Sequence, residues 1–329
     1  MVLFGGFTTK RELIVFGLCL AAALACAAAI VSQFGATSFF LFEVYLSLLP
    51  QILVFCVAVI ALSAYSLPRL TAGLAALTFV TALPFLTFSK FERPTGPACG
   101  PEECFRILTI NLWSESDYLP ALAELIREYE VDILIVNESS VDTIDPAFED
   151  IYFPQYDTVV HATYLNMPRR MGNPISFMSR EPVKGFERVL HPDTGGRAYI
   201  AADLDEQWDG IRVITGHGMT PTSQTGLAQR NALLEYLTNV AEESESFILL
   251  GDFNMTPWSP TFATLPGKRA GDPRLSMTWP TIFPLLGMSI DHIMFSDDLE
   301  LVDFQILRSI GSDHYPLLAQ FRRRDPTAP

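Results

Sequence analysis

The sequence predicts two regimes in one chain: an apolar N-terminal third of about three transmembrane helices, followed by a single large α/β domain. Three observations predict this. Charge is segregated along the 329 residues: residues 1–100 hold five basic groups (Lys10, Arg11, Arg69, Lys90, Arg93) and three acidic ones (Glu12, Glu43, Glu92). That leaves 17 of the 22 basic and 34 of the 37 acidic residues downstream, a net charge near −17 behind a front near +2, although the whole chain has a mean hydropathy of +0.26. Long apolar runs occur only in the front. Behind it, short apolar runs end on polar residues and alternate with amphipathic stretches, which is the strand and helix pattern of an α/β domain of roughly 225 residues with its own core.

The first run, residues 13–34, is apolar almost without interruption and long enough for a helix to cross a hydrocarbon layer of about 30 Å. A cleavable leader would look similar, since Lys10 and Arg11 precede it, but two further runs would still hold the chain in the bilayer. The second, 39–65, is broken by Glu43 and Pro50 and reads as one tilted or kinked helix, or as an interfacial piece followed by a span. The third is 70–88. Lys10 and Arg11 place the N-terminus in the cytoplasm, and Arg69 marks the turn between the second and third spans, so three crossings leave the rest of the chain outside; Lys90 and Arg93 pull the other way. The expected location is a bacterial inner membrane with the soluble domain on the extracytoplasmic side. Residues 91–104 are a Pro- and Gly-rich linker, and Cys99 and Cys104 within it are either a short-loop disulfide or two free thiols. Cys19, Cys26 and Cys56 lie in the apolar runs as small hydrophobes.

The soluble domain is expected over 105–322, with 323–329 a tail. Arg106 to Trp113 is a strand ending at Asn111; Tyr118 to Tyr129 is a helix on the spacing of Leu119, Leu122, Leu125 and Ile126; Val131 to Val136 is a second strand closing on Asn137 and Glu138. Residues 141–210 carry weaker patterns, with strands at 175–182 and 197–204. Arg169, Arg170 and Arg197 are either phosphate ligands or partners of surface carboxylates. Ile211 to Gly216 runs into His217, an imidazole that titrates near neutrality. A helix over 227–242 leads to Phe247-Ile248-Leu249-Leu250-Gly251-Asp252-Phe253-Asn254, a strand buried on both faces that delivers a carboxylate and an amide two residues apart. Asp291 and His292 sit in the apolar stretch 288–295, where an unpaired carboxylate is costly and needs a partner. Asp313 and His314 precede the last strand, and an Asp291–His314 couple would fix the imidazole tautomer and raise its basicity.

Any one of these polar residues is by itself an ordinary turn or loop side chain. Together Asn111, Glu138, His217, Asp252, Asn254, Asp291, Asp313 and His314 each stand at or beside the end of an apolar strand. Carboxylates, amides and imidazoles without thiolates suit a hard cation of the magnesium type with acid–base help. Zinc is disfavoured, because His292 and His314 form no His-x-x-x-His spacing.

At these residues the sequence resembles the endonuclease/exonuclease/phosphatase superfamily, the group with the deoxyribonuclease I-like fold. The matching pieces are Thr109-Ile110-Asn111, Glu138, His217, Gly251-Asp252-Phe253-Asn254, Ile290-Asp291-His292-Ile293 and Ser312-Asp313-His314-Tyr315-Pro316, in the family's order over roughly residues 105 to 321. Asn137 stands where the family usually has Gln, and Gly216 where a bulkier residue is common. Trp279-Pro280 looks like a membrane-bound bacterial branch. The resemblance implies a four-layer α/β sandwich, two mixed β-sheets face to face with helices outside, and metal-dependent hydrolysis of a phosphate ester. Carried over by position, Glu138 binds Mg²⁺, or Mn²⁺ in its place, with Asn111 and Asp313 beside it. Asp252 orients or deprotonates water, and Asn254 and His217 stabilise the phosphoryl oxygens. His314, held by Asp291, contacts the phosphate or acts as acid or base.

The substrate stays open between nucleic acid and a lipid head group. A domain near −17 repels a polyanion on average, and no Lys or Arg run offers a nucleic-acid track, whereas tethering at a bilayer suits a lipid or a small phosphodiester. A reading from another class is a catalytically inactive membrane scaffold, which predicts gaps in the residue set. Oligomeric state is not encoded in any of these patterns.

Overall fold

The computed structural model describes residues 9–96, 99–100, 102–139, 150–162, 174–205 and 208–324. Arg169 and Arg170 lie outside the described residues. The chain divides into two compact units: Met1–Ser89 with Trp258–Pro260, and Lys90–Pro257 with Thr261–Pro329.

In the first unit, helix α1 spans Lys10–Gly35 and starts with a capping box, in which Thr9 Oγ1 accepts from Glu12 N and Glu12 returns the bond to Thr9 N. The second apolar run is two helices, α2 (Phe40–Ser47) and α3 (Leu49–Ser63), bent by 59°, with Pro50 in the first turn of α3, where its missing N–H is tolerated. Helix α4 spans Pro68–Thr87. Helices α1 and α4 are each long and apolar enough to cross a membrane, and the bent pair makes a third span if counted as one. Glu43, fully buried, accepts a 2.8 Å hydrogen bond from Ser259 Oγ, and Trp258 packs its ring 4.7 Å from that of Phe85, both within this unit.

The second unit is an α/β sandwich of two mixed sheets flanked by helices. One sheet runs β12-β13-β2-β3-β5-β4, from β2 (Phe105–Asn111), β3 (Ile133–Asn137), β4 (Thr158–Ala162), β5 (Ile175–Ser179), β12 (Leu299–Ile306) and β13 (Leu317–Arg323). The other runs β1-β10-β11-β9-β8-β7-β6, from β1 (Phe91–Glu92), β6 (Val183–Leu190), β7 (Ala198–Leu204), β8 (Ile211–Gly216), β9 (Ser246–Asp252), β10 (Lys268–Ala270) and β11 (Asp291–Phe295). Side chains alternate between faces along a strand. Ile107, Ile133, Ile135, Val213, Ile248, Leu250 and Ile293 therefore meet between the sheets. Leu108, Ile110, Leu134 and Val136 point the other way, onto Leu122, Leu125 and Ile126 of α5 (Leu119–Glu128). Helix α6 (Gln224–Glu242) covers the second sheet, Leu237 lying so close to Gly216 that a Cβ there would stand 2.8 Å from its Cδ1. This accounts for the small residue before His217. Cys99 and Cys104 are joined as a disulfide.

Candidate active site

The same alternation aims the polar ends of the strands. Residues sharing parity with the inner core positions Ile107, Val213, Leu250 and Ile293 are Asn111, His217, Asp252 and Asp291, so the two sheets turn these four side chains toward each other at one mouth of the sandwich. Asn111 Nδ2 donates across that mouth to Asp252 Oδ2 at 2.9 Å and to Glu138 Oε1 at 3.2 Å, while its Oδ1 accepts from Trp113 N. Its amide thus holds two carboxylates side by side. Glu138 follows β3 with φ +50, which swings it off the strand's alternation and into the site. Of the five non-glycine residues with positive φ among those described, Trp113, Ser114, Glu138 and Asn254 all flank this mouth, the clustering of strained backbone expected where geometry is fixed for function. Gly251 is required just before Asp252: at φ +141, a Cβ would lie 2.3 Å from Gly216 O.

Asp291 faces Asp252 in register across β11 and β9. Thr278 Oγ1 accepts from the backbone N–H of Asp291, and Asp291 Oδ2 lies 2.9 Å from His314 Nδ1, while His314 Nε2 lies 3.8 Å from Asp252 Oδ2. The anticipated Asp291–His314 couple is therefore present. Burial disfavours charge on His314, yet the carboxylates of Asp291, Asp252 and Asp313 outweigh it and lift the ring to about 10. Asp252 moves up to about 7, first because it is buried and second because Asp291 is adjacent.

On the other flank, His217 is 1% exposed, with Nε2 3.4 Å from Glu138 Oε1 and 3.6 Å from Asp252 Oδ2. Burial, then Arg197, then His314 hold it well below the usual imidazole value. Asn254, with φ +47, donates from Nδ2 to Gly218 O at 3.0 Å, and the same nitrogen is 3.3 Å from His217 Nε2. Asp313 carries one carboxylate oxygen bonded by the indole N–H of Trp279 at 2.8 Å, and its buried Oδ1 has no hydrogen-bond partner. All eight expected residues converge.

Whether a divalent cation suits this set is answered by its donors. Glu138 is pushed upward, chiefly by burial, with Asp313 adding repulsion, and Asp313 Oδ1, which accepts no hydrogen bond, lies 4.0 Å from His314 Nε2. Carboxylate oxygens such as these are the donor type a hard cation takes. Ligand atoms of Asp252, Asp291 and His314 also lie within 4.8 Å of one another, a spacing a metal ion could use, but His314 Nδ1 and Asp291 already satisfy each other.

Three contributors have roles that the sequence does not display. Trp279 stands out in the sequence for its neighbour Pro280, whereas its indole N–H bonds Asp313. Arg230, fully buried on α6, donates to Asn254 O at 3.2 Å. Arg197 donates into His217 rather than toward solvent. His292, beside Asp291 in sequence, has the opposite strand parity: its ring sits outside the mouth, Nδ1 accepting from Arg269 Nε at 2.9 Å and Nε2 2.7 Å from Met255 O.

A sandwich of this kind, with acids, amides and imidazoles gathered at its mouth, offers the acid, base and donor groups that phosphoesterase hydrolases use. The endonuclease/exonuclease/phosphatase family model matches residues 108–314, and the chain belongs to that family. Among solved structures it is similar to an endonuclease/exonuclease/phosphatase from Beutenbergia cavernae (TM-score 0.56, 18% identity, covering 67% of this chain and 72% of that one). It is also similar to the human Nocturnin catalytic domain with bound sulfate (TM-score 0.53, 17%, 67% and 95%). A third is D. rerio TDP2 complexed with a single-stranded DNA product (TM-score 0.52, 15%, 67% and 99%). No curated protein matches the sequence.

Proposed function

We propose that the chain is a membrane-anchored, Mg²⁺-dependent phosphodiesterase that cleaves its substrate by in-line attack of water, with residues 105–322 as the catalytic domain and Mn²⁺ as an alternative ion. The observation that carries the reading is the convergence at one mouth of Asp252, tied by Asn111 Nδ2 to Glu138, with His314, whose Nε2 lies 3.8 Å from Asp252 Oδ2 and whose Nδ1 is held by Asp291 at 2.9 Å. A carboxyl lifted to about 7 by burial is a stronger base toward water at neutral pH than an ordinary aspartate. Asp252 takes that proton. Asn254 Nδ2 and His217 Nε2 converge as donors for the phosphoryl oxygens, and His314, oriented by Asp291, meets the charge that develops as the ester bond breaks. Glu138 and Asp313 are the residues to hold the cation, with Asn111 fixing Glu138 against Asp252. When bound, the cation polarises the phosphoryl group.

α1, the α2–α3 pair and α4 are read as three crossings, and the distribution of Lys10, Arg11 and Arg69 supports a catalytic domain outside the cytoplasm. The substrate is a nucleic acid or a lipid head group. The test is full-length protein in detergent with Mg²⁺, assayed on bis-p-nitrophenyl phosphate, DNA and phospholipid, together with Glu138→Ala. Turnover abolished in the variant and by chelation is the expected result. Absence of turnover on all three, with variant and parent alike, would leave a membrane scaffold as the better reading. A reporter joined after Pro329 that is active only in the cytoplasm would overturn the topology.

A further inference from the structure

Arg197 and His217 form a buried pair, of which the hydrolytic reading uses only the histidine. Arg197 is 9% exposed and His217 1%, and Arg197 Nη1 lies 2.6 Å from His217 Nδ1, with Nη2 3.5 Å from Met219 Sδ. The arginine is delivered by the turn Gly195-Gly196 at the start of β7, both glycines at positive φ; a Cβ on Gly195 would strike the Gln229 amide at 2.7–2.8 Å. Thr194 Oγ1 donates to Arg197 O at 2.7 Å, so the backbone carrying the guanidinium is itself pinned.

A guanidinium has donors and no acceptor. At 2.6 Å from Nδ1 it can only donate, so Nδ1 presents its lone pair and the ring's single proton stands on Nε2. The same logic operates elsewhere in the molecule. Arg269 Nε donates to Nδ1 of His292, and there Nε2 points at Met255 O, an acceptor that demands the proton on that nitrogen. At His217 the neighbours of Nε2 are again acceptors, Glu138 Oε1 and Asp252 Oδ2. The remaining neighbour, Asn254 Nδ2, is committed as a donor by Gly218 O. Two N–H groups that cannot bond each other therefore stand 3.3 Å apart, which is the spacing of a two-donor cradle for one oxygen of an anionic tetrahedral group.

We infer that Arg197 is a positioning residue that locks His217 as an Nε2–H donor and so completes, with Asn254, a two-donor site for a phosphoryl oxygen of the substrate. The inference rests on the phosphodiesterase reading of the same mouth. In that role Arg197 acts through His217 and does not touch the phosphate, which separates it from the more familiar use of arginine as a direct phosphate ligand.

The experiment is a double-mutant cycle on the full-length protein with bis-p-nitrophenyl phosphate and Mg²⁺, using Arg197→Met, His217→Gln and the double variant, with Arg197→Lys as the conservative control. Gln is chosen because its Nε2–H₂ donates regardless of Arg197. The expected result is that Arg197→Met lowers kcat about 10²-fold, the scale of losing one aimed donor, with KM changed less than about threefold. In the His217→Gln background the same change should cost less than about twofold. Methylguanidinium added in solution should restore at least tenfold to Arg197→Ala and nothing to Asn254→Ala. In ¹⁵N spectra, His217 should carry its proton on Nε2 in the parent and in Arg197→Lys, and lose that preference in Arg197→Met. Additive losses in the cycle would mean that Arg197 binds phosphate itself, and an unchanged Nε2–H signal in Arg197→Met would mean that it does not set the tautomer; either overturns the inference. A parent protein with no turnover would instead defeat the phosphodiesterase reading, leaving the ¹⁵N measurement to judge the Arg197–His217 pair alone.

Discussion

Two histidines border the same mouth, and their partners make them opposite groups. His314 has a carboxylate on Nδ1, Asp291 at 2.9 Å, and is lifted to about 10. His217 has a guanidinium at the same ring position, Arg197 at 2.6 Å, and is held well below its usual value, first by burial. Both rings are buried, so desolvation does not distinguish them. What differs is the sign of the group one hydrogen bond behind the working nitrogen. One flank thereby offers a full positive charge and the other a neutral N–H, with Asp252 between them. A reaction that moves a proton to Asp252 while charge shifts on phosphorus can use both: the imidazolium faces the larger change in charge, and the neutral donor keeps a second cation away from Glu138.

The sharpest way to break this contrast is to remove the charge behind His314. Asp291→Asn should lower kcat about 10³- to 10⁴-fold on a phosphodiester, the scale seen when an imidazole loses its orienting carboxylate. The pH dependence gives a second signature. In the parent, kcat/KM should rise with pH through about 7 as Asp252 deprotonates, and hold until His314 loses its proton toward 10. The linkage to stability has a definite sign: a raised histidine stabilises the fold fully below its ordinary value of 6.5, and this contribution is lost as pH rises through about 10. Thermal melts of the parent should therefore decline between pH 7 and 10, and those of Asp291→Asn should not decline by the same amount. Equal slopes would show that Asp291 does not hold the charge on His314.

The neutral flank predicts a smaller loss. His217→Ala should cost about 10²- to 10³-fold in kcat, and Asn254→Ala a similar amount, because each removes one donor from the cradle. Trp279→Phe sharpens the contrast from a third side. Its indole bonds Asp313 Oδ2, and losing this bond should raise the Mg²⁺ concentration for half-maximal activity about tenfold while leaving saturated kcat near the parent value. A change in saturated kcat with no change in the Mg²⁺ requirement would detach Trp279 from the metal and tie it to His314, whose ring centroid is 6.5 Å away.

How much of this was legible follows from the same side-chain alternation. The strands carrying Asn111, His217 and Asp252 announce themselves as apolar runs buried on both faces, and a polar residue at the end of one such run is ordinary while its recurrence at run after run is not. β4 and β6 were not legible because they are the edge strands of their sheets: β6, VKGFERVL, is half-exposed and shows neither a continuous apolar run nor clean alternation. The break between α2 and α3 was anticipated at Pro50, although the sequence left a kink and an interfacial piece as alternatives. Arg197 was visible only as one arginine among three, since nothing local says whether a guanidinium turns toward a phosphate, a surface carboxylate or a buried ring. Direction across a tertiary contact is information that a single sequence does not display.

A surface pair tests whether burial gives the Asp291–His314 contrast its size. Glu300 accepts from Arg322 Nε and Nη2 at 2.8 and 2.9 Å and from Thr95 Oγ1 at 2.6 Å, and these bonds, Arg322 first, hold its carboxyl below the usual glutamate value of 4.5. The sign is opposite to that of His314: a depressed carboxyl stabilises above its ordinary value and loses that contribution as pH falls through the lowered one. Arg322 is 35% exposed, so solvent screens the pair, and Glu300→Gln should cost no more than about 1 kcal/mol at pH 7. The difference from the parent should shrink as pH falls below 4.5 and vanish only below the lowered value, with no change in turnover at neutral pH. Were Glu300→Gln to cost as much stability as Asp291→Asn, charge pairing alone would suffice, and the low-dielectric mouth of the sandwich would not be what sets its two histidines apart.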